Sequence, residues 1–212
     1  MVRDGTTEVQ AFITGIGARK FQLPPADICL VSGVAGSLKN EYRIGDVLVA
    51  NSVKREDIET IMTSGESLVK AATRCGAVPI GFFCTGNTVV SSPAEKSRLS
   101  RIADAVDMES YAIMAMAHQC GIPSVAVRAV SDTADQKLPL DFNRAIDENG
   151  NIEWLPALSQ VAASPRSLPQ LIRFGWDSFT AARKLAYFLD RYLNCLTAEA
   201  SLNFAGTEMV IG

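Results

Sequence analysis

The feature that most constrains the fold of this chain is a set of apolar runs without polar alternation. They include "ICLV" from Ile28, "VLVA" from Val47, "VPIGFFC" from Val78 and "VAVRAV" from Val125. A strand with one wet face alternates apolar and polar residues, whereas a continuous run is covered on both faces. Helical patterns separate these runs. "SGESLVKAATRCG" puts Leu68, Val69 and Ala72 on one face, with Ser64 as a candidate N-cap and Gly76 after the last turn. "SPAEKSRLSRIA" carries Pro93 and Glu95 near its start, as helix N-termini prefer. "ESYAIMAMAHQCG" is stopped by Gly121 and Pro123. "VQAFITGIG" reads as a further strand ending in a glycine turn, and Ala105–Met108 as a short one. The alternation predicts a single α/β domain: a central, mixed, largely parallel twisted sheet flanked by helices.

After Asp135 the texture changes. A hairpin is expected around Glu148–Gly150 and a proline-marked loop at "SPRSLPQL". "WDSFTAARKLAYFLDRYLNCL" predicts a long amphipathic helix with Phe179, Ala182, Leu185, Phe188, Leu189 and Tyr192 on one face. The domain is expected to span 1–196, with 197–212 a loose C-terminal tail.

Composition narrows the function classes. The net charge of -3 comes with no basic run, which argues against a nucleic-acid reader. No apolar segment reaches the length of a membrane span, and the polar N-terminus has no signal-peptide core, so a cytoplasmic chain without stable membrane insertion is expected. Five cysteines with no CxxC read as reduced, mostly buried thiols. His118 is the single histidine, near a helix C-terminus, and reads as structural; neither a metal site nor a cofactor is expected.

Ligands of such sheets bind at the carboxyl ends of strands. Gly15–Gly17, Gly33–Gly36, Thr85–Asn87, Met108–Glu109 and Ser131–Asp132 all fall at such ends. Asp132 closes a buried run, where an acid must cap a helix, pair with a cation or serve a ligand. It could hydrogen-bond a heterocycle or hand it a proton. Glu109 suits either the first turn of a helix or the hydroxyls of a sugar, with Met108 a soft surface for the sugar face. Arg128, inside a Val/Ala strand, needs an anion. Asp107 reads as an anchor for the turn, and the two glycine turns could bring backbone N–H groups to an oxygen-rich ligand.

"VSGVAGSLKNEYRIGDVLVA", "AVDMESYAIMAMAHQCGIPSVAVRAVSDTAD" and "ITGIG" resemble the purine nucleoside phosphorylase and nucleosidase superfamily. Within it they look closest to nucleosidases that cleave methylthioadenosine and adenosylhomocysteine. "LPLDFNRAIDENGNIEWLPAL" and "LPQLIRFGWDSFTAARKLAYFLDRYL" resemble the hopanoid-associated branch, which is thought to remove adenine from adenosylhopane. The resemblance implies the nucleoside phosphorylase fold, here without the family's first strand with its glutamate turn, and with only "ARKFQLPPA" in place of the next helix. It implies that Glu109 binds the ribose hydroxyls and that Met108 packs on the ribose. Asp132 would bind the purine and protonate N7, oriented by Ser131. Arg128 would lie near the nucleophile, Val89 and Val90 at the base, and Gly15, Gly17, Val34, Ala35 and Gly36 around the nucleophile or phosphate pocket. The implied partners are a purine nucleoside, water or phosphate, and further copies of the chain in a homodimer or larger assembly. "SGVAG" is nearer the nucleosidase form, which favours water. The alternatives are phosphorolysis and a nucleoside-binding homologue without turnover. A dinucleotide-dependent oxidoreductase is disfavoured because no GxGxxG follows a strand.

Overall fold

The computed structural model describes residues 2–4, 7–18, 21–139, 141–144 and 168–205. β1 (Val2–Asp4) and β2 (Thr7–Val9) form a short antiparallel ribbon. The main sheet contains β3 (Cys29–Ser37), β4 (Val47–Arg55), β5 (Ile58–Thr63), β6 (Val78–Thr85), β7 (Ala105–Asp107) and β8 (Ser124–Asp132). Four helices accompany it among the described residues: α1 (Glu66–Arg74), α2 (Pro93–Leu99), α3 (Ser110–Gln119) and α4 (Leu168–Ala205).

The strand order is β5-β4-β6-β7-β3-β8, with β4 pairing β8 as well. Val47–Val49 of β4 lie antiparallel to Ala129–Val127 of β8, while Leu48 and Val49 also pair β6 in parallel. The extra pairing joins β4, β6, β7, β3 and β8 into a ring and leaves β5 as an outer edge, so few strand edges are exposed. The sheet is mixed: β3–β8, β4–β6 and β6–β7 are parallel, and β3–β7, β4–β5 and β4–β8 are antiparallel.

β8 shows why its sequence does not alternate, since all of its residues are buried. Val125, Val127 and Ala129 pack with Leu68 and Ala72 of α1 and with Ala181, Leu185, Phe188 and Tyr192 of α4. Ala126 and Val130 belong to the cluster containing Ile113, Met114 and Ala117 of α3. Each valine or leucine so buried contributes about 1.5–3 kcal/mol. Arg128 is the one charged side chain inside this run, and its cost must be met locally.

Several expectations are corrected. Ala11–Thr14 form no strand; Phe12 and Ile13 are exposed, and the glycines close a single 3-10 turn at Ile16–Ala18. A run with nothing to cover its faces gains too little to pair. β5 had no clear signal because only Met62 in it is buried. Ser64 does not cap α1: Gly65 occupies that position, and Ser64 Oγ is buried without a partner. α2 does start as its sequence suggests, with Ser92 Oγ accepting from the Glu95 N–H at 3.2 Å. α4 begins at Leu168, inside the expected proline loop, and runs on through Thr197 to Ala205. Its inward face is Ala181, Leu185, Phe188 and Tyr192, whereas Phe179 and Ala182 are exposed. The hairpin expected at Glu148–Gly150 lies outside the described residues. No described helix is long and apolar enough to cross a membrane.

Candidate functional site

The strip Gly33–Gly36 of β3 organises the site. Gly33 pairs with Arg128 of β8, and Gly36 pairs with Asp132. A Cβ on Gly33 would fall 2.1 Å from Arg128 Nη1, and one on Gly36 would fall 2.8 Å from Asp132 Oδ2. Both glycines are there because charged side chains cross the strand too closely for any other residue. The two crossings are three positions apart along the strand, about 10 Å at ~3.3 Å per residue.

At the Gly33 end, Arg128 is tied down from several sides. Its Nε and Nη2 donate to Ser110 Oγ at 3.2 and 3.0 Å. Nη2 also lies 2.8 Å from Asp107 Oδ2 and 3.4 Å from Glu109 Oε2. Asp107 accepts from Thr85 Oγ1 at 2.7 Å, from the Ser110 N–H at 3.3 Å and from Ser110 Oγ. Asp107 is thus the anchor of the β7–α3 turn and the main counter-ion of Arg128. Glu109 is the N-cap residue of α3 but makes no side-chain cap. Its Oε1 instead accepts from the Gly17 N–H at 3.1 Å. Gly17 sits at φ 76, a left-handed conformation that favours glycine. Burial pushes the Glu109 carboxyl above its usual range, and Arg128 pulls against that. The formal charges of Asp107, Glu109 and Arg128 leave this end with a net negative charge.

At the Gly36 end the ladder carries an irregularity. Ala35 pairs with Val130 and Gly36 with Asp132, so Ser131 is an extra residue in β8. Such a bulge re-aims the side chains at a strand end. Ser131 Oγ lies 3.3 Å from Ala35 O and donates to Asp132 Oδ1 at 2.8 Å. Asp132 Oδ2 takes an ion pair from Lys96 of α2. Lys96 is fully buried and Asp132 nearly so.

The sequence-predicted residues are therefore distributed as follows. Glu109, Arg128 and Gly17 are joined directly. Ala35, Gly36, Ser131 and Asp132 form the second group. Val34, 41% exposed, lies on the strip between them. Met108 is half-buried beside Glu109. Val90 is buried, and the backbone N–H of half-buried Val89 donates to Asn143 Oδ1 at 2.7 Å. Gly15, at φ 69, opens the turn and its carbonyl accepts from the Ala18 N–H, whereas it is Gly17 that meets Glu109. His118 is exposed near the end of α3 and lines a separate groove of about 320 Å³ with Ser64 and Met114. None of the predicted site residues lines that groove. Burial raises the thiols of Cys29 and Cys84 to about 11, so neither is a nucleophile near neutral pH.

Two residues escaped the sequence reading, Lys96 and Ser110, and Thr85 was placed at a strand end without a role. Lys96 had a signal. It lies three positions before Leu99, which is buried, and so shares that residue's helical face. Ser110 is a hydroxyl at the start of a helix, with no spacing to mark it, and Thr85 closes its strand with nothing to show that its hydroxyl meets Asp107.

A mixed sheet covered by helices, with acids and glycines gathered at its strand ends, is an α/β architecture. The chain belongs to the phosphorylase superfamily, whose family model matches residues 21–153, more than half its length. It is 29% identical over 149 residues to the 5'-methylthioadenosine/S-adenosylhomocysteine nucleosidase of Shewanella halifaxensis, covering 59% of this chain and 65% of that relative. The chain thus spans just under two thirds of the length of that relative. Among solved structures, futalosine hydrolase of Helicobacter pylori shares the fold, with TM-score 0.57 and 23% identity over 79% of this chain and 68% of that one. The Helicobacter pylori 5'-methylthioadenosine/S-adenosylhomocysteine nucleosidase with butyl-thio-DADMe-Immucillin-A matches at TM-score 0.50 and 26% identity, covering 65% of this chain and 68% of that one.

Proposed function

We propose that this chain hydrolyses the N-ribosidic bond of a purine nucleoside, releasing adenine from a 5'-substituted adenosine. The observation that carries the reading is the placement of two acids about the Gly33–Gly36 strip, Asp132 against Gly36 and Glu109 on Arg128, the side chain that crosses Gly33. Their spacing along the strip suits a ligand with a diol at one end and a basic heterocycle at the other. The relatives named nucleosidases support the same reaction class.

In this mechanism Glu109 accepts hydrogen bonds from the ribose hydroxyls, and its charge favours the cationic sugar that forms as the bond breaks. Ligand hydroxyls replace or join the Gly17 N–H that now holds Oε1. Met108 packs on the sugar, and Val89 and Val90 border the base. The C1'–N9 electron pair passes to the purine, Asp132 delivers a proton to N7, and water bonds to C1'. The proton lost by that water passes to solvent, which returns one to Asp132, so the cycle balances. General-acid help of this kind contributes typically ~10²–10⁴-fold.

Water is favoured over phosphate by electrostatics. Arg128 is already spent on Asp107, Ser110 and Glu109, and the charges around it sum to negative. A phosphate dianion would meet repulsion there rather than a cationic cradle. The 5' substituent, including a lipid such as hopane, and the assembly into dimers remain proposals of the sequence resemblance. The test is to follow free adenine from methylthioadenosine and from a lipophilic 5'-substituted adenosine, with and without phosphate. Adenine release in phosphate-free buffer is the expected result. Release only with phosphate points to a phosphorylase, and binding without release to a nucleoside-binding homologue.

A further inference from the structure

Lys96 has no part in the reaction as written above, yet it is the most deeply buried cation among the described residues, with no exposed surface. All three of its ammonium hydrogens are committed. Nζ pairs with Asp132 Oδ2 and donates to Thr133 O at 2.6 Å and Gln136 O at 3.3 Å. The Thr133–Gln136 turn is closed on itself, with the Gln136 N–H donating to Thr133 O at 3.1 Å and the Thr133 N–H to Gln136 Oε1 at 3.3 Å. Lys96 therefore grips both the carboxylate and the turn that follows it. Among the described residues no other cation pairs with Asp132, and Oδ1 accepts from the neutral Ser131 hydroxyl.

A buried ion pair is weak evidence of a stabilising role, because replacing both partners by apolar residues of similar volume is often neutral or stabilising. Its placement fits a demand that arises at one moment of catalysis. Once Asp132 has taken a proton from solvent, its O–H bond breaks as the N7–H bond forms, and the carboxylate that the Lys96 pair favours is restored in a buried site. A cation fixed there beforehand stabilises that charge without reorganisation.

We propose that Lys96 is a positioning residue for Asp132: it fixes the carboxyl group toward the base and stabilises the carboxylate left after the proton reaches N7. This rests on the hydrolase reading given above. It makes the lysine specific to leaving groups that need a proton. A purine nucleoside needs one; 4-nitrophenyl β-D-riboside does not, since 4-nitrophenolate leaves as a stabilised anion.

The experiment compares wild type, Lys96→Met, Asp132→Asn and the double variant on methylthioadenosine and on 4-nitrophenyl β-D-riboside. The double variant carries no unpaired charge and guards against misfolding of the single one. Lys96→Met is expected to lower kcat on methylthioadenosine by about 100-fold or more, with a much smaller change in KM. Its loss on the nitrophenyl riboside is expected to stay within a few-fold. In the Asp132→Asn background, Lys96→Met should add little further loss, because the group it serves is gone. Equal losses on both substrates, or losses that simply multiply in the double variant, would overturn the proposal. If wild type cleaves neither substrate, the hydrolase reading fails, and binding decides the lysine separately. Wild type should then bind adenine about tenfold better than 7-deazaadenine, which has no nitrogen at position 7, and Lys96→Met should lose that preference. A preference that is absent, or unchanged in Lys96→Met, overturns the role of Lys96.

Discussion

Arg128 Nη2 lies 2.8 Å from Asp107 Oδ2, and both side chains are almost wholly removed from water. The pair joins β8 to the β7–α3 turn, so the strand that ends in Asp132 and the turn that presents Glu109 are fixed to each other. Thr85 and Ser110 fill the remaining acceptor positions of Asp107. The residues that hold the geometry are thus distinct from those proposed to touch the substrate.

Breaking this pair should be costly. Arg128→Met leaves Asp107 buried without its cation, and a loss of roughly 3–5 kcal/mol in unfolding free energy is expected. Chemical denaturation with an unchanged slope would measure it. A loss below 1 kcal/mol would mean that Ser110 and Thr85 suffice for Asp107.

Gly33→Ala tests the crossing directly. The new Cβ would fall 2.1 Å from Arg128 Nη1, and that guanidinium cannot retreat without leaving Asp107 and Ser110. Overpacking of this kind costs about 1–3 kcal/mol. Thermal or denaturant unfolding should show the loss, and activity should fall with it because Glu109 loses its cation.

Glu109→Gln separates binding from stability. Burial raises the Glu109 carboxyl above its ordinary 4.5, so the folded protein holds that proton more tightly than the unfolded chain. The stability this gives is present below the ordinary value and is lost as pH rises through the folded one. The variant cannot ionise, so its stability relative to wild type should increase from about pH 4.5 upward. Substrate affinity should move the other way, weakening roughly ten- to a hundredfold for loss of hydrogen bonds to a charged acceptor. Unfolding followed across pH, with binding at neutral pH, checks both signs.

Much of this was legible in the sequence because burial on both faces leaves an apolar run that nothing else explains. β3, β4, β6 and β8 were readable for that reason, and the acid at the end of β8 stood out against it. Arg128 announced its need for an anion, and Asp107 was read as an anchor. What could not be read depended on contacts far apart in the chain. Gly17 meets Glu109 across 92 positions, and Lys96 meets Asp132 across 36. β5 is mostly exposed and left no apolar pattern, and Ala11–Thr14 had the composition of a strand with no partner to cover it. The inward face of α4 was displaced by about one position at its N-terminal half, where Ala181 rather than Ala182 meets the sheet.

The central claim is that water is the nucleophile at C1'. The most direct measurement is methylthioadenosine turnover in ¹⁸O-labelled water containing unlabelled phosphate, with mass analysis of the sugar product. The proposed mechanism requires one ¹⁸O atom in free methylthioribose and an equal amount of adenine. A sugar 1-phosphate without solvent label would contradict it and would make the chain a phosphorylase.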